Sequence, residues 1–327
     1  MKNMMYAEAL NEAIIEEMDK DKSVYYMGED VRASIYGASN GLFKKFGEKR
    51  VLDTPLSENG FIGAALGSSL VGMRPIVETL TSFMWVAMDQ LVSQAAKMKY
   101  MFGGQASLPV TIRAVMYYGM SAAAHHSDRN YPMFMNMPGL KVIVPSFPED
   151  AKGLLKTAVR DNDPCIIFED GNLGGTKGDV SESSEIESGE LLIPFGVGKK
   201  INEGTDCTVV GIAGANIHAL NAAKELEKEG ITVDIIDPRT LVPLDKKIIL
   251  DSVEKTGRLV VVDPAHKVCS AASEIISIVT EEGFWNLQAP PVKVAAEQVH
   301  IPYAPSLEPL IFPDTTKIIN AVKKTLE

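Results

Sequence analysis

Short apolar runs alternate with helical patterns along the whole chain, and this alternation constrains the fold more than any other feature of the sequence. In the first half, runs of strand length occur at 24–27, 75–80, 109–115, 140–144 and 164–168. Apolar residues at helical spacing fall at about 60–72, 85–101 and 148–160. Strands that alternate with helices favour an α/β fold, so we expect a largely parallel sheet flanked by helices.

The same alternation returns in the second half of the chain. Strands are predicted at 207–213, 231–236, 258–263 and 292–295, and helices at about 216–229, 245–254, 269–282 and 314–326. Residues 170–190 separate the halves: glycines come first, and an acidic, Ser-rich stretch follows from Asp179 to Glu190. A chain of 327 residues suggests two domains at roughly 150 residues each. We therefore expect a first domain at 1–180, a linker at 181–200 and a second domain at 201–327.

Two helix starts can be predicted from capping chemistry. Ser146 and Glu149 have the spacing of a capping box, with Pro148 in the first turn of the helix that follows. Asp245 precedes a helical pattern in the second half and is a plausible N-cap.

Charge and composition exclude several classes of protein. The chain carries 43 acidic and 32 basic side chains, a net charge of −11, which argues against non-specific binding to nucleic acid. Its N-terminus has the pattern of an acidic amphipathic helix, and no apolar run approaches the ~18 residues that a membrane span needs. The isolated cysteines Cys165, Cys207 and Cys269 are expected to be small buried residues in a reducing compartment. These features together predict a cytoplasmic protein without a membrane anchor.

The stretch from Asp53 to Gly67 is the most informative part of the sequence. A single carboxylate, Glu58, stands at the start of a helix that is rich in small residues. Glycine inside a helix costs ~1 kcal/mol relative to alanine, so we expect another backbone to approach the glycine face of this helix. From spacing alone, Glu58 is better explained as a solvated first-turn glutamate that interacts with the helix dipole.

Many stretches in one order resemble the β subunit of thiamine diphosphate-dependent 2-oxo acid dehydrogenase E1. The resemblance covers almost the whole chain and is nearest to the pyruvate and acetoin dehydrogenase β subunits. It is carried by residues 53–67, 73–78, 88–92, 94–97, 100–104, 138–142, 150–155, 241–245 and 252–258. It implies a pyrimidine-binding domain of the transketolase type, followed by a transketolase C-terminal-like domain.

The resemblance also gives Glu58 a role, that of hydrogen-bonding N1′ of the aminopyrimidine of thiamine diphosphate. A carboxyl in an apolar pocket has a raised pKa and can share a proton with that nitrogen. Phe83 matches the aromatic residue that stacks on the pyrimidine, although counting forward from Glu78 selects Met84 instead. A flat π surface suits a heterocycle, so Phe83 is preferred, and the alternative is that Phe83 is ordinary core.

Glu29 and Leu56 match positions that line the cofactor pocket in this family. Glu29 follows a strand, where α/β proteins place ligand sites, but it is equally well explained as a turn carboxylate. Leu56 is equally well explained as ordinary packing.

His126 matches the family histidine near the reacting carbon, where it could bind the substrate carboxylate or move protons. Relatives carry glutamine at the positions of His125 and Asp128, so substrate preference is open. The string from His125 to Asp128 also suggests a Ser-His-Asp triad or a metal site. Neighbours along a chain rarely have triad geometry, and two adjacent histidines are poor evidence for zinc.

Two backbone stretches resemble a potassium site of the family. Its carbonyl ligands would come from Leu108, Val110, Thr111, Ala158, Asp161 and Asp163. A polar turn between a helix and a strand explains the same residues equally well.

The family's Gly-Asp-Gly signature for magnesium and diphosphate is absent from the sequence. The resemblance therefore implies that an α subunit holds the phosphates and Mg²⁺ in an α2β2 enzyme. It further implies that the second domain docks a basic segment of the lipoyl acyltransferase E2, which an acidic chain suits. The expected reaction is oxidative decarboxylation of a 2-oxo acid, or cleavage of acetoin, with acyl transfer to lipoyl-E2. The alternatives are the C-terminal section of a split transketolase-like enzyme and a non-catalytic structural β subunit.

Overall fold

The computed structural model describes residues 1–181 and 190–327. We call these two stretches the N-terminal unit and the C-terminal unit. Each is built on its own open sheet, and a small two-stranded sheet pairs Lys2–Met5 with Lys177–Val180. The acidic, Ser-rich stretch expected as a linker lies mostly outside the described residues.

The sheet of the N-terminal unit has seven strands and is parallel except at one edge. In spatial order its strands are Thr240–Val242, Lys141–Ile143, Cys165–Asp170, Thr111–Met116, Arg74–Leu80, Val24–Gly28 and Val51–Asp53. Strands such as Val24–Gly28 are buried along their whole length, as parallel strands covered on both faces must be. The expected α/β class with largely parallel sheets is confirmed.

Helices cover both faces of this sheet. They are Tyr6–Lys20, Leu42–Phe46, Glu58–Ser69, Met98–Met101, Ala123–His126, Tyr131–Met135 and Pro148–Arg160. The first of these confirms the amphipathic N-terminal pattern, because Tyr6, Leu10, Ile14 and Met18 recur every four residues and are all buried. It packs against Pro148–Arg160.

The helical pattern expected at about 85–101 is confirmed, but it does not form one continuous α helix. This stretch consists of a 3₁₀ helix at Thr81–Ala87, a π helix at Asp89–Ala95 and the short α helix Met98–Met101. The apolar spacing was compatible with a helix, but it did not distinguish the three hydrogen-bond patterns. π segments occur frequently at functional sites.

The C-terminal unit has a five-stranded sheet in the order Val292–Ala296, Leu259–His266, Cys207–Gly211, Val233–Asp237 and Lys199–Asn202. Its last strand, which begins within the range expected to be linker, is antiparallel and the others are parallel. The helices are Ala215–Glu227, Lys246–Thr256, Ala271–Glu282, Glu308–Ile311 and Thr315–Leu326.

One of the two predicted helix caps is confirmed. The Asp245 side chain accepts a hydrogen bond from the Ile248 amide, as expected of an N-cap. The capping box at Ser146 is wrong, because Phe147 is the N-cap of that helix and makes no side-chain cap hydrogen bond. The Ser146 hydroxyl instead accepts from the side-chain amide of Asn216, a residue of the other unit.

The two units are packed together through shared core and shared sheet. The short strand Thr240–Val242, which the sequence analysis did not predict, leaves the C-terminal unit and pairs with Lys141–Ile143 at the edge of the first sheet. Beside it, the buried guanidinium of Arg239 lies 2.7 Å from the buried carboxylate of Asp150. Helices and loops of the C-terminal unit are thereby fixed relative to the first sheet.

Two local expectations need correction. Cys165 and Cys207 are buried as expected, but Cys269 is exposed. The glycine face of helix Glu58–Ser69 meets no other backbone among the described residues. A methyl group added at Gly67 would touch nothing within 4 Å, and one at Gly63 would meet only the Gln90 side chain.

Candidate active site

The expected site residues follow four strands that are neighbours in the first sheet. In spatial order, strands Thr111–Met116, Arg74–Leu80, Val24–Gly28 and Val51–Asp53 are followed by His126, Phe83, Glu29 and Glu58 respectively. Because these strands are parallel, their carboxyl ends share one edge of the sheet. Ligands of open α/β sheets bind at that edge.

Glu58 is the first residue of its helix and its exposed fraction is only 8%. A solvated first-turn glutamate would be far more exposed, so the helix-dipole explanation does not account for its burial. The Glu58 carboxyl faces that of Glu29, and the two share a hydrogen bond. Burial, and then the charge of Glu58, raise the pKa of Glu29 to about 7. Two facing carboxyls of this kind hold a proton between them near neutral pH.

The residue before Glu29, Gly28, has no room for a side chain. A methyl group at the preceding residue, Gly28, would lie 2.4 Å from the carbonyl oxygen of Glu78 on the neighbouring strand. One Glu29 oxygen, Oε1, is buried and has no hydrogen-bond partner among the described residues. The site therefore offers an unused polar atom beside the Glu29–Glu58 pair.

Phe83 and Met84 differ in their surroundings. Met84 is fully buried in the core. Phe83 is half-buried, and its ring centroid lies 5.3 Å from that of His126 in an edge-on arrangement. Phe83, rather than Met84, is therefore available to contact a ligand, and the structure brings it together with His126.

His125 and His126 lie on the short helix Ala123–His126 and are both exposed. Asp128, on the same loop, accepts a hydrogen bond from the indole of Trp85 at 2.9 Å, and its amide donates to the Ser82 hydroxyl. The histidine loop is thus tied to the segment that carries Phe83.

The triad and metal alternatives gain no support from this geometry. The Ser127 hydroxyl is buried and has no partner among the described residues, so no histidine activates it. Asp128 bonds to Trp85 rather than to a histidine. Within residues 1–181 and 190–327, no group of three or more His, Cys, Asp or Glu residues is arranged to hold a metal ion.

Apolar side chains around the site are open to solvent. Leu56 is 82% exposed, and Val86 and Met120 are each 55% exposed. Exposed apolar side chains near a ligand-binding edge suit an interaction surface when they form a patch. The described part of the chain therefore presents one wall of a site and a surface that another chain could cover.

The two stretches expected to bind potassium lie side by side, since the Leu108 amide donates to the Asn162 carbonyl. Cationic side chains already occupy this turn. Arg74 donates to the carbonyls of Val159 and Asp161, and Lys141 pairs with the Asp161 carboxylate. The carbonyls of Leu108, Val110 and Ala158 each accept one backbone hydrogen bond and retain a second lone pair.

Sequence reasoning missed two aromatic residues at this edge. Tyr36 and Tyr117 have ring centroids 5.6 Å apart, and burial followed by the charge on Tyr117 raises the pKa of Tyr36. Glu29 is also among the charges that act on Tyr36. Tyr117 stands two residues beyond the predicted strand 109–115, as Glu29 stands two residues beyond the predicted strand 24–27, so the strand-end rule that selected Glu29 would also have selected Tyr117. Nothing local in the sequence indicates Tyr36.

An ionic network lies in the sheet beneath the site. The fully buried guanidinium of Arg113 pairs with Glu78 at 2.5 Å and with Glu169 at 2.5 Å. The Tyr26 hydroxyl donates to Glu78 at 2.6 Å. These residues lie on adjacent strands, so the Arg113 guanidinium is paired within the buried interior of the sheet.

Comparisons with known proteins agree with the geometry. Residues 2–175 match the transketolase pyrimidine binding domain and residues 196–318 match the transketolase C-terminal domain. The chain is 45% identical to the β subunit of acetoin:2,6-dichlorophenolindophenol oxidoreductase from Cupriavidus necator, over 98% of this chain and 96% of that protein. It is 42% identical to the pyruvate dehydrogenase E1 β subunit of Rickettsia bellii, over 97% of each chain. The chain belongs to the family of E1 β subunits.

Two further comparisons place this β subunit. It is 38% identical to the 2-oxoisovalerate dehydrogenase β subunit of Bacillus subtilis over the full length of both chains. A solved structure described as a split gene transketolase, inactive β4 tetramer, superposes with a TM-score of 0.79 over 99% of this chain and 98% of that one. At 23% identity this second likeness concerns the fold alone, so the split-transketolase alternative is not favoured.

Proposed function

We propose that this β subunit forms the pyrimidine half of a thiamine diphosphate site in a 2-oxo acid dehydrogenase of the pyruvate or acetoin type. The observation that carries the proposal is the buried Glu58 carboxyl at a helix start, hydrogen-bonded to a Glu29 whose pKa is raised to about 7. When bound, thiamine diphosphate supplies an electron sink for cleavage of the bond next to a carbonyl.

The chain's own residues would divide the work. Glu58 holds and returns a proton at N1′ of the aminopyrimidine, and Glu29 keeps that proton within the pair. Phe83 presents its half-buried ring to the heterocycle. Leu56, which is exposed, lines the rim of the pocket. His126, next to Phe83, would bind the substrate carboxylate or move a proton as the acyl group leaves for the lipoyl carrier.

Substitution of Glu58 tests the proposal directly. The chain would be assembled with its α subunit and assayed by dichlorophenolindophenol reduction with pyruvate, acetoin and 3-methyl-2-oxobutanoate. We expect Glu58→Gln to lower kcat by about 100-fold or more, the usual effect of losing general acid–base catalysis. Glu274→Gln is the matched control, because Glu274 is an exposed first-turn glutamate of another helix. If Glu58→Gln keeps normal turnover, the proposal is wrong.

Glu29 gives a second test through pH. A carboxyl with a pKa of about 7 is protonated below that pH and ionised above it. We therefore expect the activity profile to inflect near pH 7, and Glu29→Gln to remove this inflection while the protein still binds thiamine diphosphate. An identical profile in the variant would show that Glu29 does not govern the proton at this site.

The partner proposals extend to the rest of the complex. We infer that an α subunit covers the exposed rim at Leu56 and supplies the ligands for Mg²⁺ and the diphosphate, giving an α2β2 assembly. We also infer that the acidic C-terminal unit docks a basic segment of E2 in the cytoplasm. Among the described residues, no helix is long and apolar enough to cross a membrane. Titration of E2 onto the assembly should weaken steeply with salt if charge drives docking.

A potassium ion, if bound, would use the free lone pairs of the Leu108, Val110 and Ala158 carbonyls, and of Thr111 nearby. Arg74 and Lys141 already neutralise Asp161 and the turn around it, so we propose at most weak binding. The unfolding temperature of the unmodified chain, with Asp163 in place, would be compared in potassium chloride and in choline chloride. A higher value in potassium chloride would support binding.

We also propose that the first domain ends at 180 and that the second begins after 200. The boundary at 180 falls between the two family matches, 2–175 and 196–318, and the boundary at 200 lies just inside the start of the second match.

A further inference from the structure

The loop that carries His125 and His126 has an unusual backbone. Gly119, Ser121 and Ala123 all have positive φ angles, of 72°, 56° and 58°. Ser121 and Ala123 carry side chains that disfavour this conformation, so something outside the loop must hold them in it.

Glu308, from the C-terminal unit, holds the backbone of this loop at Gly119 and Ser121. Its side chain is 1% exposed. One carboxylate oxygen accepts from the Gly119 amide at 2.6 Å and the other accepts from the Ser121 amide at 2.7 Å. Only a carboxylate can accept at both positions, because a glutamine amide offers one acceptor oxygen and one donor nitrogen.

The same segment also holds the other end of the loop. The Phe312 ring lies 4.7 Å from the Tyr118 ring and 4.5 Å from the guanidinium of Arg129, and these two residues bracket the histidines. Beyond the loop, the Tyr131 hydroxyl donates to the buried carboxylate of Asp263. The C-terminal unit therefore contacts the histidine loop at its start, at its end and just beyond it.

We propose that Glu308 is a positioning residue, which acts through the Gly119–Ser121 backbone to present His126 beside Phe83. The inference rests on the proposed role of His126. It gives the C-terminal unit a part in the reaction that is separate from docking a partner.

The test uses the assembled α/β enzyme with Glu308→Gln, with Phe312→Leu as a second variant that loosens the other end of the loop. The control is Glu297→Gln, because Glu297 is an exposed glutamate of the same C-terminal unit. Hydrogen exchange of a peptide spanning 117–130 should accelerate by roughly tenfold in Glu308→Gln, while peptides from 58–69 and the affinity for thiamine diphosphate stay unchanged. We expect kcat to fall by about 10-fold to 100-fold, with KM for the 2-oxo acid less affected.

A double-mutant cycle with His126→Gln separates positioning from general destabilisation. If Glu308 acts through His126, Glu308→Gln should lower kcat in the wild-type background but not in the His126→Gln background. Unchanged exchange in 117–130, unchanged kcat, or an equal loss of kcat in both backgrounds would overturn the inference. The single variant His126→Gln tests the proposed function independently, since full activity there refutes the role of His126 whatever Glu308 does.

Discussion

Replacing Arg113 by methionine removes the positive charge that pairs with Glu78 and Glu169 beneath the site and keeps a side chain of similar length. The guanidinium is 1% exposed, and its partners Glu78 and Glu169 are 1% and 4% exposed. Neither carboxylate can move to water without opening the sheet, so both would stay buried without a counter-charge. Breaking a buried pair in this way typically costs about 3–5 kcal/mol.

The pH dependence of that loss follows from Glu169. Burial raises the pKa of Glu169, and Arg113 opposes this by lowering it. Without Arg113 only the raising effect remains, so the folded carboxyl prefers to be protonated. A folded pKa above the unfolded one gives stability at low pH that is lost as pH rises. The penalty of Arg113→Met should therefore be larger at about pH 8 than at about pH 5.5, by up to 1.4 kcal/mol per pH unit for each proton.

Urea unfolding of the isolated chain at both pH values measures the effect. Lys228→Met is the control, because Lys228 forms an exposed pair with Glu225 and surface pairs contribute only about 0–1 kcal/mol. Adding Glu78→Gln and Glu169→Gln to Arg113→Met should recover most of the lost stability. A loss below about 1 kcal/mol, or one that does not grow with pH, would refute the reasoning.

Two further predictions concern the rest of the chain. Arg239→Met should destabilise the chain by about 3–5 kcal/mol in the same urea assay, because it leaves the buried Asp150 unpaired where the two units meet; a midpoint equal to wild type would contradict this. In the native chain, the exposed Cys269 should be the one thiol that reacts quickly with Ellman's reagent. Cys165 and Cys207 should react slowly, because burial raises the pKa of the Cys207 thiol to about 12 and that of the Cys165 thiol still higher. All three should react once the chain is unfolded, and fast reaction of a buried thiol in the native chain would contradict the packing.

The sequence by itself determined the fold class, most of the strands and helices, and the family. Fully apolar strands and amphipathic helices such as Tyr6–Lys20 are local patterns, and local patterns decide which segment becomes which element. Strand ends and the family motifs in the sequence also indicated Glu29, Glu58, Phe83 and His126 as the expected site residues.

Only the tertiary structure decided how these residues act on one another. The pairing of Glu29 with Glu58, the contact of Phe83 with His126 and the hydrogen bonds of Glu308 to the histidine loop depend on segments far apart in the chain. The pairing of strand Thr240–Val242 with the first sheet also depends on a segment that is far away in the chain. Burial and the distances between charges are properties of packed neighbours, and no periodicity along the chain encodes which distant segment the neighbour will be.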